Sequence, residues 1–444
     1  MNQTVRRAAA QIAENEFWLL WVYGAPLLFS SNLPLAVFLA ALTTIPVFWM
    51  ARRVARGAWS VATPLDLPLA LLVILGMVAV VVSTDLAVSL RLYGELVGYV
   101  ALYYGIVNSF TVRRLTGAVW LLLLLGAAMG IVGLLGLRDT SKFLPFLFLA
   151  RRLPIDLALL NPNGFTPNIV AGAVTPVIPV ALAFAWAQTT RIHSGAISGE
   201  HRLKPITNAS IPVVSKIRRH TQRIAPLAIA VLLTVIVLLT QSRGALIGLV
   251  AALGMMMVWR FPRLVWLAPM GALILIGAGI WVGTRNLDVL QAAPGFGIAA
   301  SRLEVWDRAL RMMSDFAFTG IGLGTFESTL LTWYPAFINP PSAPLPHAHN
   351  LYLEMGVDYG IAGLVAFIGV CVTILGVGMS VLRRTHGTNQ AWLAVGLSGG
   401  YVVYLVHGLL DGVAVSTKVS VVVWMIVGFL MVLYLADESC SRAS

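Results

Sequence analysis

The sequence predicts an all-α polytopic membrane protein of about 12 transmembrane helices, and three observations carry that expectation. Of its 444 residues, 59% are hydrophobic and 11% charged, with a mean hydropathy of +0.86. Soluble domains carry about 25% charged residues, so this chain is short of polar surface for water. Its apolar runs are long and continuous, as at 67–82 and 227–240, without the roughly ten-residue alternation of barrel strands. A bilayer core leaves backbone polar groups no water to bond, so continuous runs there must be helices. Finally, the arginines gather in short connections between the runs, as the orientation rule for membrane helices requires.

A span takes about 20 apolar residues, or somewhat fewer with snorkelling flanks. Arg6 and Arg7 precede the first, 17–30, which a second, 33–50, follows closely; the pair reads as a retained anchor rather than a cleaved signal. Arg52, Arg53 and Arg56 close the second. Spans 66–83 and 89–110 come next, then Arg113 and Arg114, then span 115–136. A long segment, 137–168, leads to span 169–188. The connector 189–223 holds seven cations, is rich in Ser and Thr and lacks aromatic residues, a solvated loop by composition. Spans 224–240 and 243–259 meet at a tight turn over 241–244. Arg260 and Arg263 precede span 264–284, and the longest loop, 285–358, follows. Spans 359–382, 392–410 and 419–436 complete the bundle, with Arg383 and Arg384 after the first of them and Arg442 in the tail. Most Lys and Arg fall on one side, so both termini are expected in the cytoplasm, with 137–168 and 285–358 outside. The chain thus divides into 1–284 with nine spans, the external loop 285–358, and 359–444 with three spans and a cytoplasmic tail.

The net charge of +12 is accounted for by orientation in the membrane, so no nucleic-acid partner is expected; membrane lipids are. Cys371 sits inside a span and Cys440 in the tail, so no disulfide framework is expected. No internal repeat is visible, which speaks against inverted-repeat transporters.

Cations that break the inside bias point to chemistry. Arg243 lies in the external turn Gln241-Ser242-Arg243-Gly244, either snorkelling to headgroups or holding an anion. In the long loop, Ser301 followed by Glu304 forms a capping box that predicts a helix start there. Leu303, Trp306, Leu310 and Met313 then recur at 3–4 spacing, giving an amphipathic helix at the membrane–water boundary with Arg302, Arg308 and Arg311 off its apolar stripe. The helix N-terminus beside Arg302 would suit a phosphate; solvated arginines are the plainer reading of Arg308 and Arg311. Prolines over 340–346 then stiffen the approach to His347-Ala348-His349-Asn350. A histidine there can accept a proton near neutral pH, bind a metal, or only pack. No D-x-D and no nearby cysteine support a metal. Gly320-Ile321-Gly322-Leu323-Gly324 lacks the βαβ context of a dinucleotide fingerprint and reads as a tight loop.

Taken together, an arginine turn after an apolar span, an external S-R-x-x-x-W helix, a G-x-G loop and a terminal H-N before a span resemble the O-antigen ligase and polymerase superfamily. His349-Asn350, nine residues, then Gly360-Ile361-Ala362-Gly363 fit the ligases' H-[NSQ]-x9-G-x-x-G in full. Their R-x3-L is met loosely, since Ile247 stands where Leu is expected. The likeness covers 225–375, with Asn168 at the start of span six a further echo. The resemblance implies a GT-C-like membrane glycosyltransferase of the bacterial inner membrane, active at the periplasmic face. Its donor would be O-antigen glycan on undecaprenyl pyrophosphate and its acceptor a sugar hydroxyl of lipid A–core.

Those substrates fit the residues already singled out. Arg243 and Arg302 would clamp the departing pyrophosphate in place of a metal, and His349 would take the acceptor's proton in an inverting displacement needing no cofactor. His347, Asn350, Tyr352, Arg91 and Arg308 are candidates for binding pyrophosphate or sugar, with Glu95 behind them. A polymerase would use similar chemistry, and an oligosaccharyltransferase acting on protein is a third possibility. A lipid-linked-glycan flippase is the rival from another class. It would put ionisable residues at the midplane of several spans.

Overall fold

The computed structural model describes residues 3–19, 33–136, 165–197, 212–266, 296–336, 345–412 and 417–441. The chain is all-α and polytopic. Among the described residues nine helices are long and apolar enough to cross a membrane, and a tenth apolar helix, Asp66–Val81, has 16 residues. The expected spans 17–30 and 264–284, the segment 137–168 and the proline run 340–346 lie mostly outside the described residues.

The amphipathic α1 (Gln3–Glu14) buries Ala9 and Ala13. Helices α2 (Leu35–Leu42) and α3 (Thr44–Arg56) make one span. It stops where Gly57 turns left-handed at φ 76°, a conformation open to glycine at little cost. Next come α4 (Asp66–Val81) and α5 (Leu86–Ser109), the latter capped by Asp85, whose carboxylate accepts the N–H groups of Ala87 and Val88. Beyond α6 (Val112–Leu135), helices α7 (Pro167–Val174) and α8 (Val177–Ile197) form a span broken at Thr175-Pro176, where proline removes a donor. Helix α9 (Pro212–Thr240) ends at the expected turn, and α10 starts at Arg243 and runs to Arg260. Two shorter helices, α11 (Phe296–Asp315) and α12 (Phe326–Trp333), occupy the long loop. Helices α13 (Leu351–Arg384), α14 (Asn389–Gly408) and α15 (Thr417–Ser441) follow. The core lies where α5, α6, α8, α14 and α15 meet, around Tyr103, Leu122, Val177, Leu397 and Phe429.

Helix α8 runs nine residues past the expected 188 and α9 begins twelve before the expected 224, so the ends of the expected loop 189–223 are helical. Two boundaries nearer the site also differ, each for a physical reason. Helix α11 begins at Phe296, not Ser301, so Ser301 and Glu304 stand inside it and Arg302 is not in its first turn. Its buried stripe is Val305, Ala309 and Met312, packed with Ala348 and Val357, while Leu303 and Leu310 are exposed. Helix α13 starts eight residues before the expected 359 and bends at Gly360, with φ 74° and ψ 179°. The loop after α11 crosses the helix there: the Ile361 N–H donates to Ala317 O at 2.8 Å. A Cβ on Gly360 would lie 2.8 Å from Ala317 O, and one on Gly320 2.3 Å from Asp358 O. The two glycines permit the crossing, and with it the placement of α11 against α13.

A first prediction follows from that crossing. Gly360→Ala forces a strained φ and a backbone clash and should lower thermal stability and accumulation in membranes. Gly376→Ala in the same helix meets open space and should leave both unchanged; differential melting in detergent decides.

Candidate active site

At the end of the bundle opposite Arg56, Arg260 and Arg384, the segment 407–412 collects side chains from four distant parts of the chain. Asn350 is the hinge of the arrangement: its side chain caps α13 by accepting the N–H groups of Tyr352 and Leu353, and it donates to Leu409 O at 3.0 Å. That cap holds the preceding residue, His349, in a left-handed conformation at φ 51°, uncommon for a non-glycine residue and frequent at functional sites.

The His349 imidazole reaches Asp411, with Nδ1 3.4 Å from Oδ1. Asp411 is 3% exposed, and its carboxylate also accepts the Asn168 side-chain amide and faces the Arg302 guanidinium at 3.8 Å. Burial alone would raise the Asp411 carboxyl's pKa. The hydrogen bond from His349 and the neighbouring imidazoles outweigh that and hold it below the ordinary carboxylate value. An ionised carboxylate can only accept, so Nδ1 of His349 is the protonated ring nitrogen and Nε2 the basic one. Arg302 donates as well to Leu410 O, which fixes the guanidinium on this segment while leaving its side chain 28% exposed.

His347 supports from beneath. Its Nδ1 accepts the His349 backbone N–H at 3.2 Å, and the two rings sit edge to face with centroids 4.4 Å apart. Burial, and then the neighbouring His349, push the His347 imidazole down to about 4, so it is neutral in the working range. A Cβ on Gly412 would lie 2.8 Å from its Nδ1, so a glycine is needed there for the ring to fit.

Arg243 opens α10 from the same side. A Cβ on Gly244 would meet His407 at 2.7 Å and Leu410 at 3.3 Å, so glycine lets the first turn of α10 close onto the segment that binds Arg302 and His349. The Arg243 side chain is exposed. Preceding it, Gln241 is left-handed at φ 52°, the second such non-glycine residue beside the site.

The remaining sequence candidates sit elsewhere. Arg91 donates to Leu33 O at 3.0 Å, joining α5 to the start of α2. Arg308 is tied to Asp307 at 3.0 Å and to Pro335 O, linking α11 to the end of α12. The Tyr352 hydroxyl donates to Leu405 O at 3.1 Å. Glu95 lines a mostly apolar cavity of about 90 Å³ with Asp358, Tyr99, Tyr404 and Trp424. Sequence reasoning passed over Asp411, whose only local signal is a carboxylate at the end of an apolar span, followed by glycine.

His347, His349 and Asp411 present ligand atoms within 4.8 Å of one another, enough to raise the question of a metal. Part of the donor set is already engaged, since Asp411 serves Asn168 and His349 and His347 Nδ1 serves a backbone N–H, while each histidine keeps a second ring nitrogen. A dication would also sit beside the Arg302 guanidinium, against charge.

Residues 228–368 match the family model described as O-antigen ligase, a match that supports a ligase- or polymerase-type activity in lipopolysaccharide biosynthesis. The match runs from α9 through α13 and so contains Arg243, Arg302, His347 and His349. No curated protein matches the chain.

Proposed function

We propose that the chain belongs to the O-antigen ligase family, as the match over residues 228–368 supports, and is a metal-independent, inverting glycosyltransferase of the bacterial inner membrane. It transfers O-antigen glycan from undecaprenyl pyrophosphate to a sugar hydroxyl of lipid A–core at the periplasmic face. One observation carries the reading: Arg302 and His349 converge on Asp411, and α10 brings Arg243 to the same segment.

In the reaction, the acceptor hydroxyl oxygen attacks the anomeric carbon as the bond from that carbon to the pyrophosphate oxygen breaks, so configuration inverts. The hydroxyl proton passes to Nε2 of His349, and Asp411 stabilises the imidazolium that forms. Undecaprenyl pyrophosphate leaves as an anion, and its new charge is met by the Arg302 guanidinium and by Arg243, which opens α10 beside the same segment. Charge-assisted hydrogen bonds contribute about 1.5–3 kcal/mol each, and fixed cations need no reorganisation at the moment of reaction. The donor's own pyrophosphate linkage supplies the driving force, so no nucleotide is consumed.

The direct test is reconstitution of purified protein with undecaprenyl-linked glycan and rough lipopolysaccharide. Product without nucleotide is expected; failure with active donor and acceptor would remove the ligase reading. The polymerase reading differs in phenotype. Loss of a ligase leaves long undecaprenyl-linked chains unattached, whereas loss of a polymerase leaves single-repeat caps. A second prediction concerns metal: prolonged chelation should leave the rate unchanged. Loss of activity, restored by a divalent ion, would mean that His347, His349 and Asp411 hold one.

A further inference from the structure

The loop joining α11 to α12 crosses the bundle where lipid contact begins, with two aromatic side chains turned outward. In α13, Ile361, Val365, Ile368, Val372, Leu375 and Met379 are 42–63% exposed and recur at 3–4 spacing, which marks the lipid-facing stripe. Residues 361–384 span about 36 Å at 1.5 Å each, against a hydrocarbon core of about 30 Å. With Arg383 and Arg384 at one boundary, Ile361 lies at the other. Helix α4 gives the same level independently: its exposed apolar residues run from Leu67, 70% exposed, to Val81, 78%, and cease at Ser83.

The loop is fastened at both marks. Ala317 O accepts the Ile361 N–H at 2.8 Å. Gly322 packs on Ser83, where a Cβ would come within 2.7 Å of the Ser83 backbone, and Leu323 O accepts the Ser89 hydroxyl at 2.7 Å. On either side of the first anchorage, Phe316 is 41% and Phe318 91% exposed. An outward phenylalanine adjoining a lipid-facing stripe extends that stripe, and its burial in acyl chain is favourable where its exposure to water is not.

We infer that Phe316 and Phe318 form a membrane anchor, entering the leaflet at the site end of the bundle and tethering the C-terminal end of the helix that carries Arg302 to the lipid surface. The partner is the acyl-chain boundary rather than a headgroup charge, because the two rings offer apolar surface only. The anchor fixes the far end of α11, so the helix that presents Arg302 is held at one end by the membrane and at the other by Leu410 and Asp411.

Site-directed spin labelling of the full chain in phosphatidylethanolamine–phosphatidylglycerol liposomes tests this. In a Cys440→Ser background, with Cys371 buried, nitroxides are placed by Phe318→Cys, Phe316→Cys and, as an aqueous reference, Asp307→Cys. At 316 and 318, collisions with oxygen should exceed those with a water-soluble nickel chelate; at 307 the order should reverse. Nickel collisions at both phenylalanine positions as frequent as at 307 would overturn the anchor. So would dipolar coupling between labels at 318 in dilute liposomes, which would put a second copy of the chain where lipid is assigned. Should one substitution prevent folding, the label at the other position decides.

Discussion

His349→Ala is expected to abolish glycan transfer to lipid A–core while the protein still inserts and accumulates. Removing a positioned general base costs about 10²–10⁴-fold in rate, and here no neighbour can take the role. His347 is the nearest imidazole, yet its Nδ1 is engaged by the His349 backbone N–H, and burial, with His349 beside it, pushes it down to about 4. Such a group is a poor proton acceptor near neutrality. The His349 side chain touches Asp411 and the His347 ring, while the Asn350 cap that starts α13 uses atoms of another residue, so the fold should survive the truncation. Donor consumption and product are followed on silver-stained gels beside immunoblots of protein level. Full transfer by a normally expressed His349→Ala protein would remove this residue as the base.

How much of this site the sequence disclosed depended on whether the signal was local. The bundle was legible because run length and arginine placement are one-dimensional properties, and the turn at 241–242 follows from a few adjacent residues. The start of α13 was not, because Glu354 and Asp358 make the stretch before Gly360 look too polar for a span. Each receives one hydrogen bond from outside the helix: Ala348 N–H donates to Glu354 at 2.6 Å and Gly324 N–H to Asp358 at 3.3 Å. The capping-box pattern at Ser301 misplaced the start of α11 because the same residues can occupy a helix interior. The large residues of that helix drew attention to Leu303 and Leu310, whereas Val305, Ala309 and Met312 fill the contact with α13. Asp411 was invisible for a different reason. Its partners Asn168, Arg302 and His349 stand 243, 109 and 62 positions away, and no periodicity reports on pairings of that range.

Asp411→Asn carries the second large effect, because it separates orientation from charge at nearly constant volume. The carboxylate holds the His349 tautomer with Nε2 free, balances the imidazolium formed when the proton transfers, and gives Arg302 an anionic partner. In the comparable Ser-His-Asp arrangement, loss of that charge costs about 10⁴-fold in kcat; here the expected fall is about 10²–10⁴-fold, with protein level and melting temperature near those of the parent. A structural role alone would not move the pH profile, and this one should. Neighbouring imidazoles and the His349 hydrogen bond, against the effect of burial, keep the Asp411 carboxyl below its ordinary value, so the negative charge favouring the imidazolium persists as pH falls. Without it, the residual activity of Asp411→Asn should extend further into acid, with the acid limb of kcat/KM displaced to lower pH. Asp411→Glu keeps the charge on a longer side chain and should recover part of the rate with the limb near its original position. An Asp411→Asn enzyme with an unshifted limb and an undiminished rate would mean that His349 works without its carboxylate, and that the convergence of Arg302 and His349 on Asp411 is packing rather than mechanism.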